Sequence, residues 1–141
     1  MELQCKIEVN AAKETIWPYY ADPAKRSVWE ENLESLVFDG EVKAGTTGRM
    51  KLKDMPEMAF TLTEVVEYAS YCDRTDVPGM GSLFFSHKIL REGGKTYIQH
   101  SVRLGKETHK FTNEDLRFLS GVFADVPAAM LKIKGEVEVK K

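Results

Sequence analysis

From the first residues, apolar and polar positions alternate. Leu3, Cys5, Ile7 and Val9 fall between Glu2, Gln4, Lys6 and Glu8. A period of two sends successive side chains to opposite faces, so this segment reads as a strand with one buried face. The alternation then stops. Asn10 is placed to cap a short helix carrying Ile16, Trp17 and Tyr20, which Pro18 bends or shortens. Asp22-Pro23 restarts the chain, with Pro23 suited to a first helical turn. Val28 and Trp29 mark the inner side of this second short helix.

Extended segments follow. Residues 33–41 read as a strand ended by Gly40. The passage KAGTTG, with Gly45 and Gly48, leads into a strand whose Met50 and Leu52 point one way while Arg49, Lys51 and Lys53 point the other. Met55-Pro56 marks a turn. Phe60, Leu62 and Val66 alternate with Thr61 and Thr63, and residues 70–77 form a further strand ended by PGMG. Two extended runs then flank Gly93-Gly94, a two-residue hairpin turn. With the glycines at the tip, Ile89 faces Ile98, His87 faces His100, Phe85 faces Val102 and Leu83 faces Leu104. The other face pairs Lys88 with Gln99, Ser86 with Ser101 and Phe84 with Arg103. A slip of one residue would send every side chain to the wrong face, so the pattern supports this register.

After Thr112 the period changes. Leu116, Leu119, Phe123, Val126 and Met130 recur at spacings of three and four, which marks an amphipathic helix. Thr112 or Asn113 caps it, and Glu114 and Asp115 complement its N-terminal dipole. Pro127 is expected to kink it, Gly135 to lie near its end, and the polar tail EVEVKK to fray. Consecutive strands with short turns imply an antiparallel sheet, and the long helix must bury its stripe against the sheet's concave face. The expected class is α+β: a curved antiparallel sheet of about six to seven strands around a long C-terminal helix, with two short helices after the first strand. Periodicity alone leaves open whether sheet and helix enclose a cavity or a solid core.

Composition narrows the function classes. The 141 residues suit one domain, and 43% hydrophobic with 30% charged residues is a globular balance. A net charge of -2 gives no electrostatic reason to expect nucleic acid or an anionic membrane surface. No apolar run reaches the roughly 20 residues of a membrane helix, so no membrane insertion is expected. The N-terminal residues lack the pattern of a signal peptide, and the expected location is cytoplasmic. Cys5 and Cys72 match no metal or redox spacing and read as reduced, packed thiols.

The stretch IEVNAAKETIWPYYADPAKRSVWEENLES resembles the opening of the SRPBCC superfamily, particularly its polyketide cyclase/dehydrase-like branch, through Val9, Ala12, Ile16-Trp17, Asp22 and Trp29. FDGEVKAGTTGRM is similar to that group's glycine-marked passage between strands, through Gly40, Gly45 and Gly48. The order of elements agrees over nearly the whole chain. The resemblance implies a single START-like, helix-grip domain over 1–141 with a deep pocket between sheet and C-terminal helix. Such relatives bind lipids, sterols, polyketides or other apolar molecules. Some are enzymes, and others, similar to activators of chaperone ATPases, act by protein contact. The superfamily has no universal catalytic signature to carry over, and fold does not imply function.

His87 and His100 are the most informative polar pair. The hairpin register sets them side by side on an otherwise apolar face, where burial and mutual repulsion disfavour charging both. Neutral imidazoles there could hydrogen-bond a ligand, form a structural pair, or move a proton. Two histidines are half of a tetrahedral zinc shell and no other residue has a claim to complete it, so neither metal nor cofactor is expected. His109, before the long helix, reads as a surface residue. Glu64 shares the parity of Phe60, Leu62 and Val66, so it either points inward with a perturbed proton affinity or reaches water near a strand end. With the histidines, Trp29, Phe60, Phe85, Ile98, Phe118, Phe123 and Met130 are the candidate walls of an apolar pocket, and each would equally serve plain core packing. Three functional readings follow: binding of an apolar small molecule such as a lipid or polyketide; a cyclase- or dehydratase-like enzyme using a pocket histidine; and an interaction module of the chaperone-activator type.

Overall fold

The computed structural model describes residues 1–139. Strand β1 (Glu2–Glu8) leads into three short helical turns, α1 (Lys13–Ile16), α2 (Pro18–Ala21) and α3 (Pro23–Arg26). Six strands follow: β2 (Leu33–Phe38), β3 (Thr47–Leu52), β4 (Met58–Val66), β5 (Ser70–Val77), β6 (Gly81–Glu92) and β7 (Lys95–Gly105). Helices α4 (Asn113–Phe123) and α5 (Val126–Val139) end the described chain. All seven strands join one antiparallel sheet in the order β1-β7-β6-β5-β4-β3-β2.

The hairpin of β6 and β7 has the register that the alternation dictates, including Ile89 opposite Ile98 and His87 opposite His100. Gly93 and Gly94 both adopt positive φ, as a tight turn between twisted strands requires. Gly48 has a different task. A Cβ there would lie 2.5 Å from both the Phe60 ring and the Val37 carbonyl, so only glycine lets Phe60 lie flat across β3 beside β2.

Several local expectations are corrected. Pro18 does more than bend the first helix. It opens α2, and the expected helix becomes two separate turns about Trp17. Ala12, not Asn10, precedes α1, and the Asn10 backbone N–H donates to the Glu138 carboxylate instead. Asp22 caps α3 by accepting from the Ala24 N–H at 3.0 Å. Val28 is exposed, because the helix ends at Arg26 and only Trp29 turns inward. β2 stops at Phe38, short of Gly40. In β4 the register shifts between Leu62 and Glu64, leaving Thr63 as an extra residue. Parity inverts there, so Val65 packs against the core while Glu64 and Val66 face solvent.

The long helix is interrupted at Ala124-Asp125, just ahead of Pro127, whose ring and missing N–H prevent an unbroken ladder. Thr112 and Asp115 close a reciprocal capping box at the start of α4. Asp115 and Leu119 face inward there, whereas Leu116 is 42% exposed and leaves the predicted stripe. Gly135 lies within the last turn or so of α5, which continues to Val139. Within the tail, Glu136–Val139 is helical and Val137 is buried. The last two lysines lie outside the described residues.

The apolar interior divides into two clusters. One gathers Val9, Ile16, Tyr20, Trp29, Leu62, Tyr71, Ile98, Met130, Ile133 and Val137 between the sheet, the short helices and α5. The other holds Leu83, Val102, Leu104 and Leu119 beneath α4. Val126 touches both.

Candidate functional site

Both imidazoles point into the interior. His87 from β6 and His100 from β7 meet edge to face with ring centres 4.7 Å apart. Pro18 starts α2 so that Tyr20 reaches over them, and its ring lies 5.4 Å from each. The Asp22-Pro23 restart turns the chain again, bringing Trp29 to 5.7 and 5.6 Å from the same two rings. The Trp29 indole N–H donates to the Tyr19 carbonyl at 2.8 Å, which fixes the indole against α2. Tyr71, opposite His87 on β5, completes the group at 5.7 Å.

Hydrogen bonds set the protonation of these groups. The His87 Nδ1–H donates to the Tyr71 carbonyl at 2.8 Å, which keeps the proton on Nδ1 and leaves Nε2 as the acceptor. The Tyr20 hydroxyl and His100 Nε2 share a 2.8 Å bond, the hydroxyl donating when His100 carries its proton on Nδ1. Burial, reinforced by the charge of Arg26, pushes His87 down to about 3. Burial does the same to His100, with His87 and Arg26 adding to it. Both rings are therefore neutral near pH 7. Burial also raises the Tyr20 phenol well above its usual range, against the pull of Arg26.

Next to this aromatic group lies a charged one that the sequence did not single out. Arg26 is only 4% exposed, in contact with Glu30 one turn on through Nη2. Its guanidinium carbon sits 5.0 Å from the Trp29 ring and 5.2 Å from the Tyr71 ring. Burial opposes its charge, yet Glu30, Tyr71 and Asp73 together outweigh burial and raise its pKa further. Asp73 faces inward on β5, and burial lifts its carboxyl to about 7 although Arg26 pulls the other way. Burial pushes the Tyr71 phenol up to about 12. Three buried polar atoms make no well-formed hydrogen bond among the described residues: Arg26 Nε, Arg26 Nη1 and Tyr71 Oη, although the guanidinium lies close enough to the phenol oxygen to pull its pKa down. Orphans of this kind are rare inside proteins and costly.

No family model and no curated protein matches the chain. Solved structures do. Protein MLL2253 from Mesorhizobium loti superposes with a TM-score of 0.78 at 10% identity, over 100% of this chain and 99% of that one. The Aha1 dimer from Colwellia psychrerythraea gives 0.71 at 14% identity, over 100% and 98%. DynU16, a putative protein in the dynemicin biosynthetic locus, gives 0.69 at 13% identity. There 99% of this chain is matched to 48% of the other, about half its length. The chain has the helix-grip fold. At these identities the likeness is one of architecture, and it agrees with the SRPBCC resemblance of the N-terminal segment.

Within the helix-grip frame, the residues expected to line a pocket divide between the two clusters. His87, His100, Trp29, Phe60, Ile98 and Met130 are all buried, and the last four belong to the cluster under α5. Phe85, Phe118 and Phe123 pack with the α4 cluster and stay only part-buried, although Phe85 points inward from β6. The wall residues are thus not one contiguous ring. Two open depressions, of about 300 and 410 Å³, lie on the opposite, convex face of the sheet, and neither is lined by the histidines. Cys5 and Cys72 are free thiols, and His109 is exposed. Among the described residues no group of three His, Cys, Asp or Glu side chains is arranged to hold a metal ion. Nor, among them, is any helix long and apolar enough to cross a membrane.

Arg26 and Tyr71 were missed, and the facing of Asp73 and Arg74 on β5 stayed open, for a physical reason. An arginine in the short segment PAKR reads as a surface cation. The facing of β5 depended on the turn at Tyr68-Ala69, where Tyr68 adopts positive φ. The usable signal was the hairpin: once His87 is inward, antiparallel pairing places Tyr71 opposite it and Asp73 opposite Phe85 on the same face.

Proposed function

We propose that this protein binds an apolar small molecule, of lipid or polyketide type, between the concave sheet and the C-terminal helices. The carrying observation is the inward, neutral pair His87 and His100, set among aromatic rings beside Arg26 and Tyr71, which keep buried polar atoms without a well-formed hydrogen bond. Ligand sites characteristically combine apolar walls with a few convergent polar groups. In this reading the imidazoles orient the polar part of the ligand, and its apolar body extends along Phe85, Phe118 and Phe123, which are only part-buried against the α4 cluster. DynU16, whose gene lies in a biosynthetic locus, adds support at the level of fold.

Native mass spectrometry of the gently purified protein tests this. The expected result is a co-purified adduct of small-molecule mass that is lost on denaturation. An adduct-free spectrum, together with no uptake of neutral apolar dyes, would sink the reading.

One observation favours a second reading, a proton-transfer enzyme acting on the same kind of molecule. Asp73 is buried, faces inward and titrates near neutrality, as a general acid or base should. His87, held near 3, is too weak a base for that task at pH 7. In an enzyme of this kind Asp73→Asn would abolish turnover and leave ligand affinity within a few-fold.

A further inference from the structure

The unpaired donors beside the histidines narrow what the ligand must present, and this step rests on the binding reading above. We infer that the ligand meets Arg26 and Tyr71 with an uncharged oxygen acceptor, a carbonyl of ketone, ester or lactone type, on an otherwise apolar frame, and that a carboxylate is disfavoured there.

Two observations carry this. The first is hydrogen bonding. Arginine offers only donors, and two of them, at Nε and Nη1, are buried without a well-formed hydrogen bond among the described residues. The Tyr71 hydroxyl lies beside the guanidinium, which draws on its oxygen, and its own O–H likewise lacks a well-formed hydrogen bond. Trp29 and Tyr71 hold the guanidinium at 5.0 and 5.2 Å, so it is not free to swing to water. An oxygen with two lone pairs arriving at this point relieves the deficit.

The second observation is charge. The single guanidinium already touches Glu30 and faces Asp73. The other titratable groups around it, His87, His100 and Tyr20, are neutral. A carboxylate would therefore be the third acid around one cation, and its own desolvation would have no new counter-charge to offset it. A carbonyl supplies the lone pairs without that charge.

The test is competition against a neutral fluorescent probe, N-phenyl-1-naphthylamine, at pH 7.5, with three chains of equal length: 2-undecanone, undecanoate and undecane. The expected order puts the ketone about tenfold or more ahead of both others, the factor that one satisfied buried donor confers. In Tyr71→Phe the ketone-to-undecane ratio falls several-fold. Undecanoate binding as well as the ketone, or a ratio unmoved by Tyr71→Phe, overturns this inference while leaving apolar binding in place. Failure of the probe and all three chains to bind overturns the binding reading and this inference together.

Discussion

The two halves of the interior are built on opposite principles. Beneath α4, Leu83, Val102, Leu104 and Leu119 pack with phenylalanines and valines, and each contact removes apolar surface from water. Beneath α2, α3 and α5, the chain buries a guanidinium, a carboxyl, two imidazoles and three tyrosines beside the aliphatic residues. Each of those groups has a desolvation cost, and three polar atoms make no well-formed hydrogen bond among the described residues. A chain shaped for stability alone would fill that region with aliphatic side chains of the same volume. The contrast separates the half that holds the fold together from the half that is expensive to keep, and expensive polar interiors are where ligand and proton chemistry is found.

The largest expected effect breaks the apolar half. Leu119→Ala empties a fully buried position between α4 and the sheet and should cost about 3 kcal/mol in urea unfolding. A loss under about 1 kcal/mol would mean that α4 is not anchored as described.

Acid titration probes the polar half. His87 folds with its pKa lowered from 6.5 to about 3, so between those values the unfolded chain takes up a proton that the native state refuses. That contribution is full above 6.5 and is lost as the pH falls, and His100 acts in the same direction. Asp73 works oppositely. Raised from 3.8 to about 7, it favours the native state below 3.8, and the advantage is lost as the pH rises to about 7. Two imidazoles outweigh one carboxyl, so stability should climb by up to ~1.4 kcal/mol per pH unit between about pH 4 and 6.5. Asp73→Asn should steepen that climb. A profile flat over this window in both proteins would show that the imidazoles are not buried.

The smallest effect is the most local. A double-mutant cycle of Tyr20→Phe and His100→Leu should report a coupling of about 1 kcal/mol from their shared hydrogen bond. A coupling indistinguishable from zero would separate the two groups.

Legibility in the sequence followed the same division. The β6–β7 register, the extent of β5 and the Thr112 cap were readable, because alternation and turn chemistry are local and agree with the global fold. The facing of Glu64 was not, since a single extra residue at Thr63 inverts parity without any mark in composition. Leu116 fits a spacing of three and four as well as Leu119 does, and only the tertiary placement of α4 decides between them. Of the site, the paired histidines and Trp29 were visible from pattern and resemblance. Arg26 was invisible because its burial comes from a partner one turn away and from two rings supplied by tertiary contact.

The interruption at Ala124-Asp125 has a mechanical consequence. One unbroken rod would carry any tilt of its first turns along its whole length. Two short rods separated by a two-residue break do not, so a tilt of α4 against Leu83, Val102 and Leu104 need not disturb the seat of α5 through Met130, Ile133 and Val137. Amide exchange that is fast along Asn113–Phe123 and slow along Val126–Val139 would be the signature of an interior that loosens from one end only.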